Sequence, residues 1–232
     1  MWPIDNLSLT AVQSGASITA CDVQTIPKGA AMRGFSLPII LTLGLMATGC
    51  AFADQRLTLK YLPPAAEGRP TRPTELLLTV KMDTSLQRKE TSYIIGTVRN
   101  GYGIKTADAI TSDRIDDWIA SAFAGELGRA SFAVRRLDAL PPDPGRGLQV
   151  VIRKLWVEQD PGFWTIGAIT DLAFVMEIYS RGQLLKSVLI EAKGDSRTMF
   201  ATSSHKEESL QKALEAAMVQ VLQHVTAALP AD

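Results

Sequence analysis

Two cysteines and two histidines stand among 232 residues, and that scarcity removes several chemistries at once. Thiol catalysis has only Cys21 or Cys50 to draw on. A zinc site needs three or four clustered nitrogen or sulfur ligands. His205 and His224 have no cysteine near them in the chain, so no metal is expected. Charge of one sign is also missing: 24 Lys and Arg balance 24 Asp and Glu. A chain of zero net charge with no long basic run carries no global field toward nucleic acid, and none is expected as a partner. Phosphate-binding loops are absent too. Gly96, Gly101 and Gly103 start a glycine series, but Thr106 stands where a dinucleotide fingerprint needs its next glycine, and no Walker lysine follows. These glycines read instead as a turn and an eased backbone approach. No cofactor is expected.

What is present is one strongly organised stretch, Met32 to Cys50, MRGFSLPIILTLGLMATGC. Arg33 precedes an uncharged apolar run from Leu37 to Met46, and the small residues Ala47, Thr48 and Gly49 lead to Cys50. A basic start, a short apolar centre and a small-residue exit make a secretory signal. The closing cysteine gives it the form of a bacterial lipoprotein signal, with Cys50 as the lipidated first residue of the mature chain. Ala47 departs from the favoured leucine three positions before the cysteine. Two other readings stay open. Ala51-Phe52-Ala53 is an A-x-A cleavage pattern, and the uncharged run from Gly34 to Ala53 is about 20 residues, enough for an uncleaved span. Residues 1–31 show no periodicity and read as a misassigned start or leader, with Met32 as initiator and 32–49 as signal. Alanine rather than aspartate after Cys50 points, by the sorting rule of this class, to the outer membrane. The alternatives are the inner membrane or a soluble periplasmic chain.

Removal of the leader leaves roughly 180 residues, enough for one domain with a real core. With Cys50 as the sole cysteine of that chain, no disulfide can form within it, and apolar packing must hold it together. Residues 50–74 include AAEGRPTRPT (65–74) and read as a tether. The domain is expected over 75–229. Strands are predicted at Glu75–Lys81 and Tyr93–Arg99, with a polar loop at Asp83–Glu90 between them and a turn at Asn100-Gly101. A helix capped by Thr111 or Ser112 follows, with Asp113, Asp116 and Asp117 early in it and a stop near Gly128. Its apolar stripe is Ile115, Trp118, Ile119, Ala122, Phe123 and Leu127. Ser131–Leu137 is a short strand, and Pro141–Gly147 breaks the chain. Leu148–Ala192 then reads as a three-stranded meander, interrupted at Pro161-Gly162 and turning at Arg181-Gly182. A capping box, Ser204 to Glu207, opens a last helix with a stripe from Leu210 to Leu229. The expected class is α+β: a mostly antiparallel sheet with two amphipathic helices packed on one face.

Candidate chemistry is thin. His205, at a helix start, and His224, among polar neighbours, are expected to face water. Asp116 and Asp117 are adjacent, so on a helix they do not converge, and the helix dipole accounts for them. Asp113 and Asp171 are the carboxylates a hydrolase would use, but no nucleophile–base–orienter set accompanies them. The chain is expected not to be an enzyme. Phe163 and Trp164, after the Pro-Gly break, offer an exposed patch for a partner or a lipid surface, or else a core strand; Trp156 divides the same way. The partners expected are the membrane, through lipid on Cys50, and an envelope protein.

The run Gly96–Asn100 (G-T-V-R-N), the Lys105-Thr106-Ala107-Asp108 turn and the helix carrying Trp118 resemble the YajG-like family of bacterial lipoproteins. The resemblance extends from about Leu57 to Leu229, plus the signal. It implies an α+β envelope domain and supplies no catalytic residues.

Overall fold

A computed structural model describes residues 53–63, 73–83, 86–161, 165–199 and 203–229. Nine strands form one sheet: β1 (Gln55–Arg56), β2 (Thr74–Met82), β3 (Arg88–Lys89), β4 (Ser92–Arg99), β5 (Lys105–Thr111), β6 (Phe132–Arg136), β7 (Arg146–Pro161), β8 (Ile166–Ser180) and β9 (Gln183–Thr198). Among the described residues two helices complete it, α1 (Ile115–Arg129) and α2 (Ser203–Ala228).

The meander β7–β8–β9 is the frame. Its strands are antiparallel over nearly their whole length. Arg181 and Gly182 both take positive φ, +50° and +72°, which suits the tight turn between β8 and β9. The other edge of β7 is shared. Its first half pairs with β2 and its second half with β4, both parallel. β6 pairs parallel to β2, β1 parallel to β5, and β4 antiparallel to β5. The α+β class therefore holds, and the sheet is mostly antiparallel with several parallel pairs. Parallel pairing follows where a helix-containing connection returns the chain in the same direction, as α1 does between β2 and β6.

Both helices cover one face. Ser209 of α2 meets Thr170 of β8, and Phe123 of α1 packs against Phe174 of the same strand with ring centroids 5.8 Å apart. Residues 170 and 174 share a face by the two-residue period of a strand. Phe123, Phe174, Leu76, Leu78, Leu148, Ile152, Leu155, Ala213 and Leu214 are all sealed in this layer. The stripe from Leu210 to Leu229 is buried as its spacing predicts, except Leu222, which is partly covered.

Several local expectations are corrected. Lys105–Asp108 is the start of β5, not a turn; its inward residues Ala107 and Ala109 are small, so the strand signal was faint. The polar stretch 83–90 contains β3, hydrogen-bonded to β4. α1 starts after Arg114 without a side-chain cap. Thr111 Oγ1 accepts from the Asp113 N–H in a local turn, while Asp113 Oδ2 accepts from the N–H of Leu59. The helix also continues through Gly128 to Arg129. α2 begins at Ser203, which puts Ser204 inside the helix, and Glu207 Oε1 accepts from the N–H of Thr58 rather than closing a box. The fold also starts upstream of 75. Residues 53–63, within the expected tether, lie on the domain: Leu57 is buried, its N–H donates to the Ile110 carbonyl, and Tyr61 O–H donates to Glu126 Oε1.

Candidate functional site

The segment that places β1 beside β5 also builds the most chemically distinctive corner of the molecule. A cavity of about 490 Å³ opens there. Its walls come from Ala53, Asp54 and Gln55, from Arg99 and Asn100 at the end of β4, from Gln159 and Ile166 on β7 and β8, and from His205 on α2. Gly96 lies against Val157, where a β-carbon would stand 1.9 Å from the valine carbonyl oxygen, so only glycine lets β4 close on β7. That contact carries Arg99 and Asn100 to the cavity rim. Asp54 accepts from the N–H of Asp108 and the ammonium of Lys89, and it is held below the ordinary carboxylate range chiefly by the lysine.

His205 and Lys206 are the surprises. His205 is 3% exposed, contrary to the solvated position expected of it. Lys206 is 0% exposed. The first turn of α2 is tucked under β1, which leaves both side chains inside. The Lys206 ammonium donates to Gln55 Oε1 at 2.5 Å, and among the described residues no carboxylate lies within salt-bridge range of it. Burial therefore lowers its pKa from 10.5 to about 8. Lys206 sits four residues before Leu210, on the apolar face of its own helix, and that spacing was the only available clue.

The remaining candidates are scattered. Asp171 bridges Lys154 and Lys193 on the outer face of the sheet, and those lysines keep its carboxyl below the ordinary range. Asp113 holds Leu59. Asp116 and Asp117 are ion-paired with Arg114 and Arg136. His224 is half-buried, with Nδ1 3.2 Å from the Lys186 ammonium. Trp156 is half-buried beside Asp171. Cys50, Phe163 and Trp164 lie outside the described residues. Among the described residues no cluster of His, Cys, Asp and Glu could hold a metal ion.

The rim of the cavity is unusual in another way. The loop between β4 and β5 is braced by Asn100, whose Oδ1 accepts from the N–H groups of Tyr102 and Ile104, both at 3.0 Å. Arg99 adds a bond to the Gly103 carbonyl at 2.8 Å. This fixed tip presents Tyr102, 91% exposed, and Ile104, 62% exposed. Met199, 76% exposed, follows Thr198, the partner of the wall residue Ile166. No helix among the described residues is long and apolar enough to cross a membrane.

The architecture is thus an α+β domain of one mixed sheet with two helices on one face. No known family profile matches the chain, and no curated protein matches its sequence. Three distant solved structures match it in outline. A Xanthomonas campestris protein of the DUF330 family is 13% identical, with 76% of this chain and 95% of that one covered and a TM-score of 0.46. A minor lipoprotein from Acinetobacter baumannii is 12% identical, covering 68% and 94%, with a TM-score of 0.37. The lipoprotein GNA1162 from Neisseria meningitidis is 10% identical, covering 67% and 99%, with a TM-score of 0.33. None of these three is described as YajG-like, so that resemblance rests on the residues quoted for it.

Proposed function

We propose that this chain is a bacterial envelope lipoprotein without enzymatic activity, held on the periplasmic side of the outer membrane by lipid on Cys50 and acting as an accessory or binding module for another envelope protein. The observation that carries the reading is the arrangement of Cys50 and the domain. A signal-like stretch ends at Cys50, and the fold has begun by Ala53, with Gln55 already in the sheet. Stable anchoring takes more than one acyl chain, and a lipidated N-terminal cysteine carries two or three. Intact mass of the protein from envelopes of its native host tests the anchor, together with fractionation of Cys50→Ser. A lipid-sized mass increment on a chain beginning at Cys50, with release of the variant from membranes, is the expected result. An unmodified chain beginning near Asp54 rejects it.

A second reading, a periplasmic carrier of a small apolar ligand or lipid, draws on the cavity beside β1, whose volume of about 490 Å³ is within the size range of small-molecule sites. The apolar layer between helices and sheet is filled by side chains such as Phe123 and Phe174, so this cavity rather than that layer would hold the ligand. Native mass spectrometry of the purified chain decides: a co-purifying small molecule supports the carrier, and a clean apo mass rejects it.

A further inference from the structure

We propose that the rim formed by Tyr102, Ile104 and Met199 rests in the headgroup region of the membrane that holds Cys50, so that the domain is docked on the bilayer in one orientation rather than swinging from a tether. The inference rests on the lipid-anchor reading and adds to it the face that meets the lipid.

Three observations converge. The first is reach. Only Ala51 and Phe52 separate Cys50 from Ala53, and the three steps of chain extend at most about 11 Å. Ala53 lines the same cavity as Gly101, which precedes Tyr102 in the chain, and as Ile166, whose partner Thr198 precedes Met199. An acylated cysteine so close to this corner brings it to the lipid surface.

The second is presentation. Tyr102 and Ile104 are not loose apolar residues on a mobile loop. Asn100 and Arg99 brace the tip that carries them, and the side chains still point into water. A tyrosine at such a tip suits the interface, where its ring is apolar and its hydroxyl stays hydrated.

The third is charge. Four cations around this corner are already paired, Lys89 with Asp54, Lys105 with Asp108, Arg99 with Glu158 and Arg197 with Asp160, and Lys206 is buried against Gln55, which leaves Arg56 as the exposed cation there. Docking would therefore depend on apolar insertion and respond little to salt or to anionic lipid, unlike a polybasic surface.

The test is site-directed spin labelling of the full chain purified from membranes, in a Cys21→Ser background. Single cysteines are introduced as Tyr102→Cys, Ile104→Cys, Met199→Cys and, as a control, Arg181→Cys. The control lies past the far end of β8, a strand of 15 residues, or roughly 45 Å at the ordinary rise. The protein is reconstituted in phosphatidylethanolamine–phosphatidylglycerol vesicles, and its intact mass and flotation are recorded. The expected result is a several-fold gain in oxygen collision and loss of water-soluble nickel chelate collision at 102, 104 and 199, against an aqueous pattern at 181, unchanged in high salt. Lipid-modified protein that floats with vesicles while all four labels stay aqueous overturns the docking and leaves the anchor standing. Absence of both lipid and flotation overturns the anchor, and the docking with it.

Discussion

Gly194 of β9 and Ser209 of α2 approach so closely that a β-carbon on the glycine would stand 2.0 Å from the serine carbonyl oxygen and 2.4 Å from the nitrogen of Ala213. The obstacles are helix backbone, which cannot swing aside. Gly194→Ala should therefore push α2 off the sheet. The expected loss is about 3 kcal/mol or more, at the upper end of overpacking costs. Urea unfolding of the purified Cys50→Ser chain measures it, and a loss below about 1 kcal/mol would show that the helix can give.

Beneath the same helix, the Thr170 and Ser209 hydroxyls are buried and 2.7 Å apart. Ser209→Ala strands the threonine oxygen and should cost about 1–3 kcal/mol. Adding Thr170→Val removes the orphan. The double variant should be more stable than the sum of the two single losses implies, and a double-mutant cycle reports the difference.

Lys206 makes stability depend on alkaline pH. Its pKa in the folded chain is lowered to about 8 from 10.5. Below pH 8 both states hold the proton, and the burial penalty is complete. Between these two values the unfolded chain keeps a proton that the folded chain has released, so stability rises with pH. The rise should be on the order of 3 kcal/mol. Lys206→Met should be more stable than the parent at pH 7 and should flatten the rise. Denaturation series across that window check both, and a parent curve that is flat there would mean the ammonium reaches water.

Tyr61 works in the opposite sense. Its hydroxyl donates to Glu126, and burial together with that carboxylate raises its pKa well above the ordinary 10. Above pH 10 the unfolded phenol ionises while the folded one resists, so stability falls as pH rises. Tyr61→Phe should remove this fall and cost about 1–3 kcal/mol at neutral pH through the lost charge-assisted bond. Its signature is local: amide exchange should quicken at Leu57 and Leu59 before the core is affected. Ultraviolet titration of the phenols provides the companion measurement: Tyr61 and Tyr179, both held by carboxylates, should ionise late in the parent, and the variant should lose one of the two.

Much of this fold could be read in the residues because it is locally determined. The stripe from Leu210 to Leu229 has one apolar side, and any packed structure must bury it. Arg181-Gly182 turns the chain because a tight hairpin needs positive φ and glycine supplies it cheaply. The alternation in β9 places Ile190, Ala192 and Ser196 inward with no help from distant residues. The signal-like stretch ending at Cys50 is likewise a property of sequence alone. Tertiary structure decided the rest. β5 is a strand because β1 and β4 supply hydrogen-bond partners to a segment whose own strand signal is weakened by Ala107 and Ala109. β7 divides its edge between β2 and β4 because Gly96 lets one of them close in. His205 and Lys206 are buried because residues 53–63, more than 140 positions earlier, lie across the first turn of α2. Such contacts follow from which surfaces find each other once the chain has collapsed. No window of neighbouring residues holds that information.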